Sequence, residues 1–364
     1  LLSLRDDLEP RISQALANLD AWFQTMRAPG GYAGPISHWW DSSLVYCGPM
    51  IDWRYEGILC GYVSLYRSTG NELWLKRAKR AGDDVVAAQL SSGKYRNSSF
   101  QQGPMEGGTP HEAAVDVGLM ELATLLKDIG DDSWRRYFET AERNLTEYYL
   151  ADLWNGSGFT DMPWNRTLVP NKNATIAEAL ILYETLSGKD MSRYIDGAVS
   201  VILQAQELAG PRAGGIVHTG TGRHRLAVGI YTARSVNGLL RVYERKPRDE
   251  LLEAAVAALK FLEPLVTPKG VYFGRYADGS VIANPRMLAG AGDVLRAMTW
   301  GQAHASAFGA GAESLVKMLV DSQLASGGIA AGYGFAWRGA RRPYRGAPEL
   351  RDILPVVGWC DKAF

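Results

Sequence analysis

The feature that most constrains this chain is an internal repeat with a period of about 60 residues. Each unit begins with a stretch of helical periodicity that carries charged residues on one face, followed by a loop rich in glycine and aromatic residues. A second stretch, apolar on nearly every side, then leads into a tight turn. The clearest turns cover residues 68–71, 128–131 and 186–189, each with a glycine where a helix should end. One period is long enough for two helices and a functional loop.

The two kinds of stretch predict two kinds of helix. Stretches with a charged face are typical of helices that contact water, and we expect these outer helices over residues 4–26, 72–89, 133–153, 192–208, 249–265 and 312–324. Stretches that are apolar all round are typical of buried helices, and we expect these inner helices over residues 52–67, 112–126, 174–185, 226–244, 287–302 and 350–364.

Six outer and six inner helices in strict alternation resemble the (α/α)6 toroid of the six-hairpin glycosidase-like superfamily. The resemblance covers the whole chain and rests on the number of hairpins, the period and the glycine-aromatic loops, not on a catalytic signature. It implies one all-α domain over residues 1–364, with short β turns in the loops on the cavity face.

Composition excludes several classes of partner. The 39 Lys and Arg residues balance 39 Asp and Glu residues, so the chain as a whole offers no electrostatic basis for binding nucleic acid or an anionic membrane. No apolar run approaches the roughly 18 residues that a membrane span needs. The three cysteines match no zinc-ligand spacing. We therefore expect neither a metal nor a cofactor, and the oligomeric state stays open.

Five asparagines begin an Asn-X-Ser/Thr triplet, which is more than chance predicts: Asn97, Asn144, Asn155, Asn165 and Asn173. The excess favours an exported, glycosylated protein, and the unpaired cysteines leave a cytoplasmic location open.

In such a ring the long loops all emerge at the start of the inner helices and surround the mouth of a central cavity, which is where ligand sites are expected. These loops and helix starts hold aromatic rings that can stack on sugars, together with polar groups for hydroxyls and acidic groups. The predicted substrate-binding residues are Trp40, Trp53, Arg54, His111, Trp164, Asn173, His218, Arg225, Tyr333 and Trp337.

Glycoside chemistry needs two carboxyl groups across a cleft. We expect Glu112 to act as general acid or base, with Asp52 or Asp41 as its partner across the mouth. Other carboxylates near the starts of inner helices are Glu56, Glu106 and Asp116. Asp52 and Glu112 could instead cap their helices or complement the helix dipole.

Within the superfamily, the second hairpin looks most like that of the unsaturated-uronyl hydrolases, which place a His-Asp pair where this chain has His111 and Glu112. The second carboxylate of that family corresponds here to the segment that runs from Asn171 to Thr175, which holds amides instead. The resemblance therefore implies a carbohydrate-active enzyme, which we expect to be a glycoside hydrolase acting on an oligo- or polysaccharide, with or without uronic acid. A polysaccharide lyase or uronate C5-epimerase using Tyr, His and Arg, and a non-catalytic glycan-binding toroid, are the alternatives.

Overall fold

The computed structural model describes residues 8–36, 45–49, 51–97, 107–108, 111–218, 226–342 and 345–364. Within these ranges the chain forms an (α/α)6 barrel. The outer helices are α1 (Leu8–Thr25), α3 (Glu72–Ala88), α5 (Trp134–Asn144, continued as a π-helix over Leu145–Leu153), α7 (Ser192–Ala205), α9 (Asp249–Leu262) and α11 (Gly309–Asp321). The inner helices are α2 (Arg54–Thr69), α4 (Glu112–Asp128), α6 (Pro170–Ser187), α8 (Gly229–Arg245), α10 (Gly292–Ala305) and α13 (Val357–Ala363), the last preceded by the short α12 (Leu350–Ile353).

The inner helices contact one another in chain order, and α13 contacts both α10 and α2, which closes the ring. Closure needs a close approach of backbones. A Cβ atom at Gly292 on α10 would lie 1.6 Å from the carbonyl oxygen of Lys362 on α13, so only glycine fits there. Phe364 then packs edge-on against Phe23 of α1 and Tyr62 of α2.

The predicted alternation of outer and inner helices is confirmed, and α3, α4, α7 and α9 begin at the predicted residues. By contrast, α6 begins four residues and α11 three residues before the predicted start. Gly70 and Gly188 lie in the left-handed region directly after α2 and α6, as the turn signals predicted. The inner helices are buried nearly all round; on α4 the buried positions run without a break from Glu112 to Ala123.

The last predicted inner helix, over 350–364, is wrong as a single element. It is divided into α12 and α13, and Leu354, between them, is extended. The reason is Pro355, since a residue that precedes proline is disfavoured in the helical region.

The loops on the cavity face hold short antiparallel strands, as predicted, but one group is larger than a turn. The strands β7 (Ala227–Val228), β8 (Val266–Thr267), β9 (Gly270–Arg275), β10 (Val281–Met287) and β11 (Gly332–Tyr333) form one sheet, in which β9 pairs with β7, β8 and β10, and β10 pairs with β11. Because residues 281–287 pair in this sheet, α10 begins at Gly292 and not at the predicted residue 287. Smaller hairpins join β1 (Arg27–Ala28) to β2 (Gly31–Tyr32), β3 (Gly34–Ile36) to β4 (Val45–Cys47) and β5 (Thr160–Met162) to β6 (Asn165–Leu168).

The asparagines of the five triplets differ in exposure. Asn97, Asn144 and Asn173 have no exposed surface, whereas Asn155 and Asn165 are exposed. Export and glycosylation stay predictions. Only the triplets at Asn155 and Asn165 offer an accessible amide in the folded chain. No helix in the described part of the chain has the length and apolarity that a membrane crossing requires.

Candidate active site

A cavity of about 110 Å³ lies where the inner helices begin, and we call it the mouth cavity. Its wall is formed by aromatic and neutral polar side chains, chiefly Trp53, His111, Asn171, Thr175, Tyr231 and Trp359. Its floor is formed by four charged side chains, Glu56, Arg234, Asp293 and Lys362, which we call the ion-pair floor. The same four residues line a larger cavity of about 700 Å³ further down the barrel axis, the lower cavity.

Neighbouring hairpins hold the wall in place. The indole nitrogen of Trp53 donates to the carbonyl oxygen of Gly358 at 2.6 Å, and the ring of Trp53 meets that of His111 edge-on with centroids 5.0 Å apart. On the third and fourth hairpins, the ring of His218 stacks on that of Tyr231 at 4.4 Å, and its Nδ1 lies 3.2 Å from Oδ1 of Asn171. Asn171 and Tyr231 line the cavity, so His218 is one contact behind its wall.

The ion-pair floor joins four inner helices. On α8, Nη1 of Arg234 lies 2.5 Å from Oε1 of Glu56 on α2 and 3.9 Å from Oδ1 of Asp293 on α10. On α13, Nζ of Lys362 donates to Oε2 of Glu56 at 2.7 Å. The Glu56 and Asp293 side chains are 4% and 15% exposed, so both carboxyl groups are largely removed from water yet face the same cavity.

The floor shifts its two carboxyl groups in opposite directions. Burial opposes ionisation of Glu56, but the attraction of Arg234 and Lys362 outweighs it and holds the pKa of Glu56 below its ordinary value. Burial raises the pKa of Asp293, and the two cations offset only part of that rise. The same surroundings therefore favour the ionised form of Glu56 and the protonated form of Asp293.

The imidazole of His218 is uncharged at neutral pH. Burial, together with the nearby charge of Lys172, lowers the pKa of His218 to about 4. Lys172 is itself paired with Asp161.

Glu112, the expected acid or base, opens α4 but is not among the residues that line the mouth cavity or the lower cavity. Its side chain is buried, Oε1 accepts from the Gly108 backbone N–H at 2.6 Å, and Oε2 accepts from Nδ2 of Asn144 at 2.6 Å. A catalytic role for Glu112 stays a prediction, and its surroundings favour a structural one, in which it links α4 to α5 and to the preceding loop.

Asp52 and Arg54 are paired with each other below the surface. Nε of Arg54 donates to Oδ1 of Asp52 at 2.6 Å, both side chains have no exposed surface, and Nη1 of Arg54 also donates to the carbonyl oxygen of Tyr32. Neither residue lines the mouth cavity or the lower cavity. Their position favours a role in holding the start of α2.

Asn173 also faces the protein interior. Its Oδ1 accepts from the Phe159 backbone N–H, and its Nδ2 donates to the carbonyl oxygens of Phe159 and Val169. It holds the β5–β6 hairpin against α6 instead of facing the mouth cavity.

Three predicted aromatic positions lie away from the mouth cavity. Trp164, between β5 and β6, is 71% exposed, and Trp337 is 43% exposed. Tyr333 on β11 lies beside Arg286, whose guanidinium is 5.5 Å from its ring centroid. Of the substrate-binding predictions, the structure brings Trp53 and His111 into the cavity wall and His218 next to it. Trp40, Asp41 and Arg225 lie outside the described residues.

The sequence analysis did not select four residues that line the mouth cavity: Arg234, Asp293, Trp359 and Lys362. It named Glu56 only as one of several carboxylates near the starts of inner helices. The sequence did hold a signal for the charged residues among them, because an isolated charge in an otherwise apolar helix needs a partner inside the protein. In the described ranges, no group of three or more His, Cys, Asp or Glu side chains is arranged to hold a metal ion.

Comparison with known proteins places the fold. No protein-family model matches the chain, and no curated protein matches its sequence. Solved structures do match along nearly the whole chain. A cellobiose 2-epimerase from Spirochaeta thermophila DSM 6192 aligns with a TM-score of 0.70 at 13% identity, covering 100% of this chain and 97% of its own. The GH76A α-1,6-mannanase of Salegentibacter sp. HEL1_6 aligns with a TM-score of 0.64 at 10% identity, covering 96% and 98%.

An unsaturated glucuronyl hydrolase specific for heparin aligns with a TM-score of 0.63 at 16% identity, covering 89% of each chain. At these identities the likeness establishes the fold alone: the chain is an (α/α)6 toroid of six helical hairpins, as the repeat predicted.

Glu112→Gln provides a test of the role of that side chain. The glutamine amide has one acceptor oxygen where Glu112 has two, so it cannot accept from both the Gly108 N–H and Nδ2 of Asn144. We therefore expect the free energy of unfolding to fall by about 1–3 kcal/mol while activity persists. Urea unfolding and an activity assay measure the two effects. Glu147→Gln, at an exposed carboxylate paired with Arg143, is the matched control and should be nearly neutral. Loss of activity at unchanged stability would instead establish Glu112 as catalytic.

Proposed function

We propose that the protein is a carbohydrate-active enzyme that hydrolyses a glycosidic bond at the mouth cavity, with Asp293 as general acid and Glu56 as the ionised carboxylate. The observation that carries the proposal is that these two carboxyl groups face one cavity and have pKa values shifted in opposite directions. Pairs of carboxyl groups separated in this way by their surroundings are typical of glycosidases.

The wall supports a sugar as the ligand. Trp53 and Trp359 supply aromatic surface, and His111, Asn171 and Thr175 supply hydrogen-bonding groups for hydroxyls. The cavity volume of about 110 Å³ limits the enclosed part of the ligand to one sugar unit at most, so the rest of an oligo- or polysaccharide would extend outward. Two structural neighbours carry the names of glycan hydrolases, one specific for heparin and one an α-1,6-mannanase.

In this proposal the charged groups have separate tasks. Asp293 donates its proton to the leaving oxygen of the glycosidic bond. Glu56 faces the positive charge that develops at the anomeric carbon, or accepts a proton from the attacking water. Arg234 and Lys362 keep Glu56 ionised and fixed in place. They are also the cations that the carboxylate of a uronic acid would meet, which favours a substrate containing that sugar.

A sugar epimerase or isomerase is the second candidate, and the imidazoles favour it. His111 lies in the cavity wall, where it can move a proton at a sugar carbon, and His218 is held neutral one contact behind the wall. Arg234 would then stabilise the enolate-like intermediate. Solved neighbours named cellobiose 2-epimerase and D-mannose isomerase support this class of reaction.

Substitutions in the floor separate the two candidates. For hydrolysis we expect Asp293→Asn and Glu56→Gln each to lower kcat by roughly 10²- to 10⁴-fold, because each removes a proton-transfer or charge-stabilising group. Release of reducing ends from a panel of neutral and uronic-acid glycans provides the assay, with thermal unfolding to check the fold. Asp132→Asn, at a side chain 93% exposed, is the matched control.

Two outcomes of these assays would contradict hydrolysis. If Asp293→Asn keeps its activity while His111→Ala abolishes it, and solvent deuterium enters an intact sugar, the enzyme is an epimerase or isomerase. If neither reaction is found with any member of the panel although glycans bind, the protein is a glycan-binding toroid.

The pH dependence follows from the two shifts. Glu56 assists only when it is ionised, so the rate should rise as the pH increases through its lowered pKa. Asp293 donates only when it is protonated, so the rate should fall as the pH increases through its raised pKa. We therefore expect a bell-shaped profile of kcat/KM with an acidic optimum. A rate that rises above about pH 4 and stays level to neutral pH would point to His218 and contradict the assignment.

A further inference from the structure

The lower cavity lies on the far side of the ion-pair floor from the proposed active site. Its volume of about 700 Å³ exceeds that of the mouth cavity, and it is lined by Ser64, Arg67, Glu121, Arg241, Arg296 and Trp300, among others. Ser64 and Arg67 belong to the last turns of α2 and are exposed, so the cavity is accessible from the end of the barrel opposite the mouth. A small molecule could enter it without passing the active site.

The carboxylates around this cavity already have cationic partners. Oε1 of Glu121 contacts Arg241, and its Oε2 accepts from Nη1 of Arg67 at 2.9 Å. Glu178, which is fully buried, is contacted by Arg234, Arg241 and Arg296. Their acceptor oxygens are therefore directed toward the protein's own guanidinium groups.

The acidic side of the lining also holds Glu244, Asp361 and the two carboxyl groups of the ion-pair floor, Glu56 and Asp293. Glu244, at the outer end, lies 3.8 Å from Nη1 of Arg241 and 3.6 Å from Nε2 of His304. Oδ2 of Asp361 lies 3.5 Å from Nζ of Lys362, and burial raises the pKa of Asp361 well above its ordinary value.

The guanidinium groups of Arg67 and Arg296 have N–H donors beyond those used in their ion pairs. Arg67 and Arg296 each use one nitrogen in an ion pair among the described residues, with Glu121 and Glu178 respectively, while a guanidinium carries five N–H donors. The guanidinium of Arg296 also lies 4.8 Å from the ring centroid of Trp300, and that of Arg241 lies 5.1 Å from it. The cavity is thus rich in fixed cationic donors and poor in unengaged acceptors.

We propose that the lower cavity is a second ligand site, which binds a small molecule through an oxyanion, either a phosphate or a carboxylate, held by Arg67 and Arg296. Guanidinium groups match the planar or tetrahedral oxygens of such anions with paired hydrogen bonds. The volume leaves space for a sugar-sized body attached to the anion. The proposal does not depend on which reaction takes place at the mouth.

Direct binding measurements test the proposal. Isothermal titration and tryptophan fluorescence would be recorded with inorganic phosphate, glucose 6-phosphate, glucuronate and neutral glucose. We expect at least one oxyanion to bind and neutral glucose not to bind at this site. Trp300→Phe should remove the fluorescence change, since Trp300 lies beside Arg241 and Arg296.

Variants locate the binding. Arg67→Gln, at a partly exposed residue, should weaken oxyanion binding about tenfold or more, because a charge-assisted hydrogen bond is lost. Ser64→Phe, which places a bulky ring in the cavity without changing its charge, should weaken binding. Arg143→Gln, an arginine with the same exposure outside both cavities, is the matched control and should bind as the unmodified protein does.

The four probes also separate the sources of the anion. Preference for glucose 6-phosphate supports a phosphate ester, and preference for glucuronate supports a sugar acid. Oxyanion binding that is unchanged by both Arg67→Gln and Ser64→Phe would place the anion elsewhere and overturn the proposal. So would the failure of every oxyanion to bind, or neutral glucose that binds as tightly as the oxyanions and is weakened by the same two substitutions.

Discussion

The interaction on which the barrel most depends is the burial of one carboxylate among three guanidinium groups. Glu178 on α6 has no exposed surface and is contacted by Arg234 and Arg241 of α8 and by Arg296 of α10. A buried charge costs several kcal/mol unless it is paired, and removing one partner of such a pair typically costs about 3–5 kcal/mol. These three guanidiniums outweigh the cost of burial and lower the pKa of Glu178 to about 2. Through Arg234 the network continues to Glu56 on α2 and from there to Lys362 on α13. Arg241 also contacts Glu121 on α4, so the network ties together inner helices from all six hairpins.

The same network divides the interior into the mouth cavity and the lower cavity. Because Glu56, Arg234, Asp293 and Lys362 line both, the groups that stabilise the closed ring are also those that set the proton affinities at the mouth. Packing and proposed chemistry therefore share residues. A substitution in the floor should change both, which is why each experiment on it needs a measurement of stability beside one of activity.

The repeat was enough to predict the fold, because an apolar helix of an α-hairpin has to be buried by its neighbours and a regular period repeats that requirement around a ring. The predicted helix ends were accurate where glycine marks them, as at Gly70 and Gly188. The predicted start at residue 287 was inaccurate because this residue pairs in the sheet. The helix predicted over 350–364 was inaccurate because Pro355 divides it.

The site was predicted less well than the fold. Attention to helix starts and loops found Trp53 and His111, but it also selected Glu112 and Asp52, whose charges are engaged by Asn144 and Arg54. Whether a carboxylate faces a cavity or a buried partner depends on contacts between hairpins far apart in the chain, which local patterns do not encode. The most direct test of the account is a crystal structure of the Asp293→Asn variant with a glycan that the unmodified protein processes. The account predicts a sugar ring between Trp53 and Trp359 with Glu56 beside its anomeric carbon. A sugar seated against Glu112, or held only at the exposed Trp164 and Trp337, would contradict it.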